Sequence, residues 1–329
     1  MKRFFAMLLT LVMLVGVVSG CGDSESGPST SAPSSSETSD PSTEPKAEKE
    51  NYRIAFATKY LTGSTFWAVL CEEVEKGIRE GDEYILVNSQ EDAAVQVGQI
   101  QDLIAQDYDA LIVSCSDTFA LNPVLEEAKE AGIPVVTVDS SCSDSNLFNA
   151  EVMNDNEAAA KLCGEELAKA MNYQGKAIVY YETFTDQSIT KGRTAQEILE
   201  GYGIEVVHVD ADGNADAALT NIEAALQAHP DVTGIHTMNG TTAQGAIAAL
   251  ESAGMIDKVF VTCIDGSAAD FENLRNGKLY CLGTQQPAAM GKYTIETIYD
   301  ILDGNEYEKF IKVPAYLVNK DNVDEFEPF

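Results

Sequence analysis

Along the chain, apolar and polar positions fall into three regimes. Phe4 to Val18 is nearly unbroken apolar sequence, residues 22–50 carry no large apolar side chain, and from Tyr52 onward short β-rich runs alternate with amphipathic stretches. In the third regime "RIAFAT", "YILVNS", "ALIVSC", "IPVVTVD", "KAIVYYE", "IEVVHVD", "TGIHTM", "VFVTCID" and "LYCLGT" read as strands. Their continuous apolar character predicts parallel strands covered on both faces. Between them, "AAVQVGQIQDLIAQ", "NEAAAKLCGEELAKAM" and "TAQGAIAALESAG" are rich in alanine, leucine and glutamate, which favour helix. Repeated βα units predict an α/β fold of doubly wound parallel sheets, in which ligands meet the carboxyl ends of the strands.

The first regime has the form of an export signal: Lys2 and Arg3 precede an apolar run too short to span a bilayer, and small residues Ser19 and Gly20 follow. An ordinary secretion signal needs no cysteine at that boundary. Val18-Ser19-Gly20-Cys21 resembles the bacterial lipobox, which implies a signal peptide over 1–20 and lipidation of Cys21 as the first mature residue. Residues 21–50 then form a Ser/Thr/Pro/Glu tether with too little apolar surface to bury. A flexible tether of that length has an r.m.s. span of about 30 Å. The expected location is the outer face of the cell membrane, held by the lipid alone.

Asn51 to Phe329 is long enough for two ordinary domains. The formal charge of −32 repels nucleic acid and anionic lipid, which argues against either as a partner. Cys71, Cys115, Cys142, Cys163, Cys263 and Cys281 show no C-x-x-C spacing, and the chain has three histidines, so the sequence predicts no zinc site and no other metal or cofactor. Export permits disulfides, and Cys263 and Cys281 fall on strands expected side by side; buried thiols are the alternative.

The strand ends share one character. Ser114, Asp117, Asp139, Asn239, Asp265 and Gln285 are short polar groups, and such acceptors and amides suit vicinal hydroxyls. Phe66 and Trp67 stand at a helix start, and an aromatic face opposing polar groups is a common way to hold a sugar. Each residue also has a plainer reading, as a helix cap for the aspartates and as core for the rings.

At this point the chain resembles the periplasmic sugar-binding proteins of the ribose-binding type. The likeness is carried by "NSQEDAAVQVGQIQDLIAQ", "AGIPVVTVD", "NDN" at 154–156, "AHPDVTGIHTMNG", "VTCIDGS" and "NGKLYCLGTQQP" in that order. It implies two α/β lobes joined by three crossovers, near Asn154, Gln285 and Tyr316. The lobes would be 51–153 with 286–316, and 154–285 with 317–329. It also implies that Asp139, Asn239, Asp265 and Gln285 take sugar hydroxyls and that Phe66 and Trp67 stack on the ring. Ser140 and Lys191 fall where ribose-binding relatives have arginines, while Ile264 and Gly213 replace two aromatics. Ammonium is a point charge without the planar fork of guanidinium, so bidentate gripping is lost. A sugar other than ribose, or another polyhydroxylated ligand, is expected.

The resemblance implies a monomeric receptor that closes on its ligand and delivers it to ABC permease subunits. Alternatives are a sensor of the same fold feeding a membrane receptor or kinase, and a receptor for a non-sugar, nucleoside-like solute. An enzyme is not expected: G-x-S-x-G, H-E-x-x-H and an early G-x-G-x-x-G are missing. "DADGNAD" spaces Asp210, Asp212, Asn214 and Asp216 like an EF-hand start, but Ala215 and Asn221 stand where that loop needs Gly and Glu.

Overall fold

The structure, a computed structural model, describes residues 51–61, 64–183, 186–211 and 214–329. The expected signal peptide, Cys21 and the tether lie outside the described residues, as do Asp212 and Gly213. The chain opens with β1 (Arg53–Thr58), α1 (Thr65–Lys76), β2 (Glu83–Asn88) and α2 (Ala93–Ala105). It continues through β3 (Ala110–Val113), α3 (Asn122–Glu130), β4 (Val135–Val138) and β5 (Ala150–Asn154). Next come α4 (Asn156–Ala170), β6 (Lys176–Tyr181), α5 (Asp186–Gly201), β7 (Glu205–Asp210) and α6 (Ala215–Ala228). They are followed by β8 (Val232–Thr237), α7 (Gly240–Ser252), β9 (Phe260–Asp265), α8 (Ala268–Arg275) and β10 (Cys281–Thr284). The chain then runs through α9 (Pro287–Asp303), β11 (Phe310–Val313), β12 (Leu317–Asn319) and a 3₁₀ turn at Val323–Glu325.

Two six-stranded sheets result among the described residues, in the orders β11-β5-β4-β3-β1-β2 and β12-β10-β9-β8-β6-β7. The strands pair in parallel except β12, which runs antiparallel to β10 (Cys281 opposite Asn319). The central strands β3 and β4 are buried at every position, as continuous apolar runs require. β2 and β7 depart from the expected two-sided burial: each is a sheet edge, and each shows partly exposed positions. The first sheet has its core in Ile54, Phe56, Ile112, Val136 and Val152 on one face and Leu111, Val113 and Leu125 on the other. The second is built around Tyr180, Ile178, Ile235, Leu250 and Phe271.

The chain passes between the sheets after β5, after β10 and after β11. These passages are hydrogen-bonded to one another. Asn154 at the end of β5 accepts from the Gln286 backbone N–H (3.1 Å), and its amide contacts the Met290 sulfur. Thr284 and Tyr316 exchange two bonds, Thr284 N–H to the Tyr316 carbonyl and Tyr316 N–H to Thr284 Oγ1. All strands of each sheet but β12 point their carboxyl ends toward these passages, so the loops of the two lobes face one another there.

All six body cysteines are buried free thiols. β9 and β10 are indeed neighbours, but Cys281 lies opposite Thr262 and Cys263 opposite Leu282. One residue of offset puts the two thiols on opposite faces of the sheet. Cys281 instead meets Cys163 of α4, and that contact, with burial second, pushes its thiol well up.

Candidate functional site

In the first lobe the candidate site is built on the ends of β1, β3 and β4. Asp139 follows β4 and adopts φ 63°, a conformation that non-glycine residues rarely take and that aspartate tolerates better than most. Its backbone N–H still donates to the Val152 carbonyl, and the side chain turns across to Lys59, just past β1 (Nζ to Oδ2 3.3 Å). The Lys59 ammonium also lies 5.5 Å from the centre of the Trp67 ring, within range of a cation–π attraction. Phe66 and Trp67, the second and third residues of α1, meet edge to face at 5.4 Å and are largely buried in the first-lobe core. The core reading of this pair therefore applies, and Phe66 also meets Phe329 at 5.9 Å.

Ser114 and Ser140 are joined to each other (Oγ to Oγ 3.0 Å), and Ser140 also donates to the Cys115 carbonyl. Ser114 is fully buried, so this pair ties β3 to the Asp139 turn. Gln96 of α2 braces the same place: its buried amide donates to the carbonyls of Ala57 and Ser114. Asp117 is exposed and accepts from the backbone N–H groups of Phe119 and Ala120, which hold its carboxyl below the usual range. Its observed contacts are those of a local cap rather than of the Asp139 cluster.

In the second lobe the corresponding groups come from α5, α7, β9 and β10. Gly192 lets α5 settle directly on Tyr181, since a side chain there would stand 2.0 Å from that ring. The close approach buries its neighbour Lys191, 8% exposed, with no hydrogen bond or ion pair to its ammonium among the described residues. Desolvation lowers the proton affinity of Lys191, opposed by the carboxylates of Asp265 and Asp139, while Lys59 lowers it further. Groups of both lobes thus share one field. Asn239 caps α7, accepting from Thr242 N–H at 2.8 Å through Oδ1.

Asp265 ends β9 and accepts the Gly240 N–H at 2.9 Å. Gly240 is needed for a close approach, because a β-carbon there would stand 2.3 Å from Asp270 Oδ2. Burial and the neighbouring Asp270 carboxylate raise the Asp265 carboxyl above its ordinary range, against the pull of Gly240 and Lys191. Asp270 is itself fully buried, raised by burial, and held by Ser267 through a capping box. Gln285 follows β10, its backbone N–H bonded to the Asp265 carbonyl.

Sequence reasoning missed Lys59 and Glu182. Lys59 sits at a strand end like the others, but it is a long cation among short polar groups. Glu182, one residue beyond β6, has its carboxyl raised chiefly by burial; Lys191 and Lys59 oppose this, and Asp210 and Glu91 add to it. Asn214 of the EF-hand-like stretch caps α6 through Ala217 N–H, and no cluster of potential metal ligands occurs among the described residues.

Two doubly wound lobes with polar strand ends facing across three linked passages define a cleft-bearing, two-lobed α/β protein. The family model of the periplasmic binding protein domain matches residues 54–306, and the chain belongs to that family. It is 29% identical over 275 residues to the ribose import binding protein of Bacillus subtilis (strain 168), covering 82% of this chain and 88% of that protein. Among solved structures, it is similar to an ABC transporter solute binding protein from Agrobacterium vitis with bound D-fucose. That match has a TM-score of 0.76 at 26% identity, over 83% of this chain and 97% of the other. An ABC transporter solute binding protein from Bacillus halodurans C-125 with bound myo-inositol shares the fold, at a TM-score of 0.78 and 24% identity, over 83% and 96% of the two chains.

Proposed function

We propose that this protein is the extracytoplasmic solute receptor of an ABC importer, and that it binds a monosaccharide or cyclitol between its lobes without transforming it. What supports this reading is the field shared by Asp139 and Lys59 of the first lobe with Lys191 and Asp265 of the second, Trp67 lying beside Lys59 and Asn239 and Gln285 standing at second-lobe strand ends. Carboxylates and amides offer the paired acceptors and donors that vicinal hydroxyls need, and the rings offer a surface for C–H faces. The relatives' names and bound ligands support the same reading, since they are binding proteins for ribose, D-fucose and myo-inositol. A ligand that touches both lobes favours the closed form by its differential affinity, and closure supplies the signal a permease reads.

In this reading the lobes are 51–153 with 286–316 and 154–285 with 317–329, and the receptor works as a monomer. Cys21 anchors it by lipid to the outer face of the membrane; Cys21→Ser would move the protein from the membrane fraction to the soluble fraction. The test of function is a thermal-shift screen against pentoses, hexoses, cyclitols, uronic acids and nucleosides. A bound ligand at a hundredfold excess over Kd raises stability by about 2.7 kcal/mol. A shift with a sugar or cyclitol, lost in Asn239→Ala, is expected. A shift with a nucleoside alone would overturn the sugar assignment.

A further inference from the structure

The segment that follows β12 is fastened to the second lobe and then leaves it. Asn322 accepts from the Asn319 N–H and donates to the Leu317 carbonyl, Val323 is buried in the second-lobe core, and Phe326 packs against that core. Three residues later, the Phe329 N–H donates to the carbonyl of Gly266 at 3.1 Å, directly beside Asp265. The ring, however, packs with the first-lobe core, edge to face with Phe66 at 5.9 Å and 79°. A β-carbon on Gly266 would stand 3.1 Å from the Phe329 ring and 3.8 Å from the Gln285 carbonyl. The ring therefore lies between Gly266, at the strand end that carries Asp265, and Phe66 of the first lobe.

Ile264 cannot supply an apolar surface at that place. It is fully buried against Ala159 and Cys163 of α4. Phe329 brings an aromatic surface to the same strand end from a distant part of the sequence.

We propose that Phe329 is a specificity-determining wall of the interlobe cleft, a ring carried by the second lobe that closes against Phe66 of the first; this rests on the sugar-receptor reading above. A ligand that reaches Asp265 and Gln285 must pack beside this ring, so the ring limits the bulk accepted there. Because its backbone belongs to one lobe and its ring contacts the other, the wall is complete only when the lobes are together.

The test uses the full chain and its Phe329→Ala and Phe329→Leu variants, with D-ribose, D-allose and myo-inositol as calorimetric probes. Phe329→Leu keeps most of the apolar bulk, so loss of the ring is separated from loss of the fold. Acrylamide quenching of Trp67, the only tryptophan in the chain, reports access to the aromatic pair without any ligand. Phe329→Ala is expected to weaken the tightest probe by about fivefold, to change the ratio of affinities among the three, and to increase quenching of Trp67. Phe329→Leu should fall between the two. Unchanged affinities and ratios in both variants, with the parent protein binding, overturn the wall and leave the receptor reading intact. If the parent binds none of the probes, the sugar reading fails and the wall that rests on it fails with it, whatever the quenching shows.

Discussion

The two lobes present their candidate groups in opposite electrostatic conditions. In the first, Asp139 and Lys59 lie 3.3 Å apart, and each charge is answered before any ligand arrives. In the second, Lys191 is buried without a bonded partner among the described residues, and Asp265 shares its surroundings with the carboxylate of Asp270. A buried charge without a partner is costly, whereas a paired one approaches balance. The difference teaches that the first lobe is preorganised while the second holds its groups at a cost in stability. A ligand that hydrogen-bonds to Lys191 and Asp265 relieves that cost only on binding, so the second lobe gains most from closure.

Removing the cost should break the contrast most visibly. Lys191→Met keeps the length of the side chain and deletes its charge. The ligand-free protein is expected to gain about 1 kcal/mol, a rise of about 2–4 °C in melting temperature, while affinity for its sugar falls about tenfold or more. A lower melting temperature would show that the ammonium is satisfied in the empty cleft.

A smaller effect should come from the acid pair. The folded-state proton affinities of Asp265 and Asp270 are raised, so above the ordinary carboxylate range the folded chain retains protons that the unfolded chain has lost. Their contribution to stability is therefore largest at low pH and declines as pH rises through the folded values. Asp270→Asn removes the repulsion, and its melting temperature should fall less steeply than that of the parent between about pH 5 and 8. Parallel pH profiles would contradict the coupling. The smallest change is expected in the first lobe, where Lys59→Met breaks a pair that is still partly solvated. A loss of about 0.5 kcal/mol in urea unfolding, with the slope unchanged, would fit an already compensated site.

Much of the fold was legible in the sequence, and the limits are specific. The nine apolar runs read as strands correspond to β1–β4 and β6–β10; burial on both faces explains the continuous signature of the central ones, and the edge strands β2 and β7 share the apolar runs without it. The strands not read were β5, β11 and β12, "AEVMN", "FIKV" and "LVN", short and polar for their length. They are strands because the chain crosses between sheets beside them, and that information is tertiary. Among the candidate residues, Asp139 and Asp265 share an electrostatic field with Lys191, while Ser114 and Asp117 hold local structure. Strand-end position alone does not separate these roles: a buried serine and an exposed capping aspartate look alike in sequence. Lys59 escaped because its pairing with Asp139 joins two strand ends far apart in the chain. Phe329 escaped for the same reason, since nothing local predicts that its ring meets Phe66.

The central claim is that a sugar or cyclitol binds between the lobes at Asp139. Isothermal titration of the protein and of Asp139→Ala with D-ribose, D-allose and myo-inositol tests it most directly. The account predicts saturable one-to-one binding of at least one probe and a loss of about 100-fold in the variant, where Lys59 is left unpaired beside the ligand. No saturable heat with any probe, or equal affinity in Asp139→Ala, would contradict it.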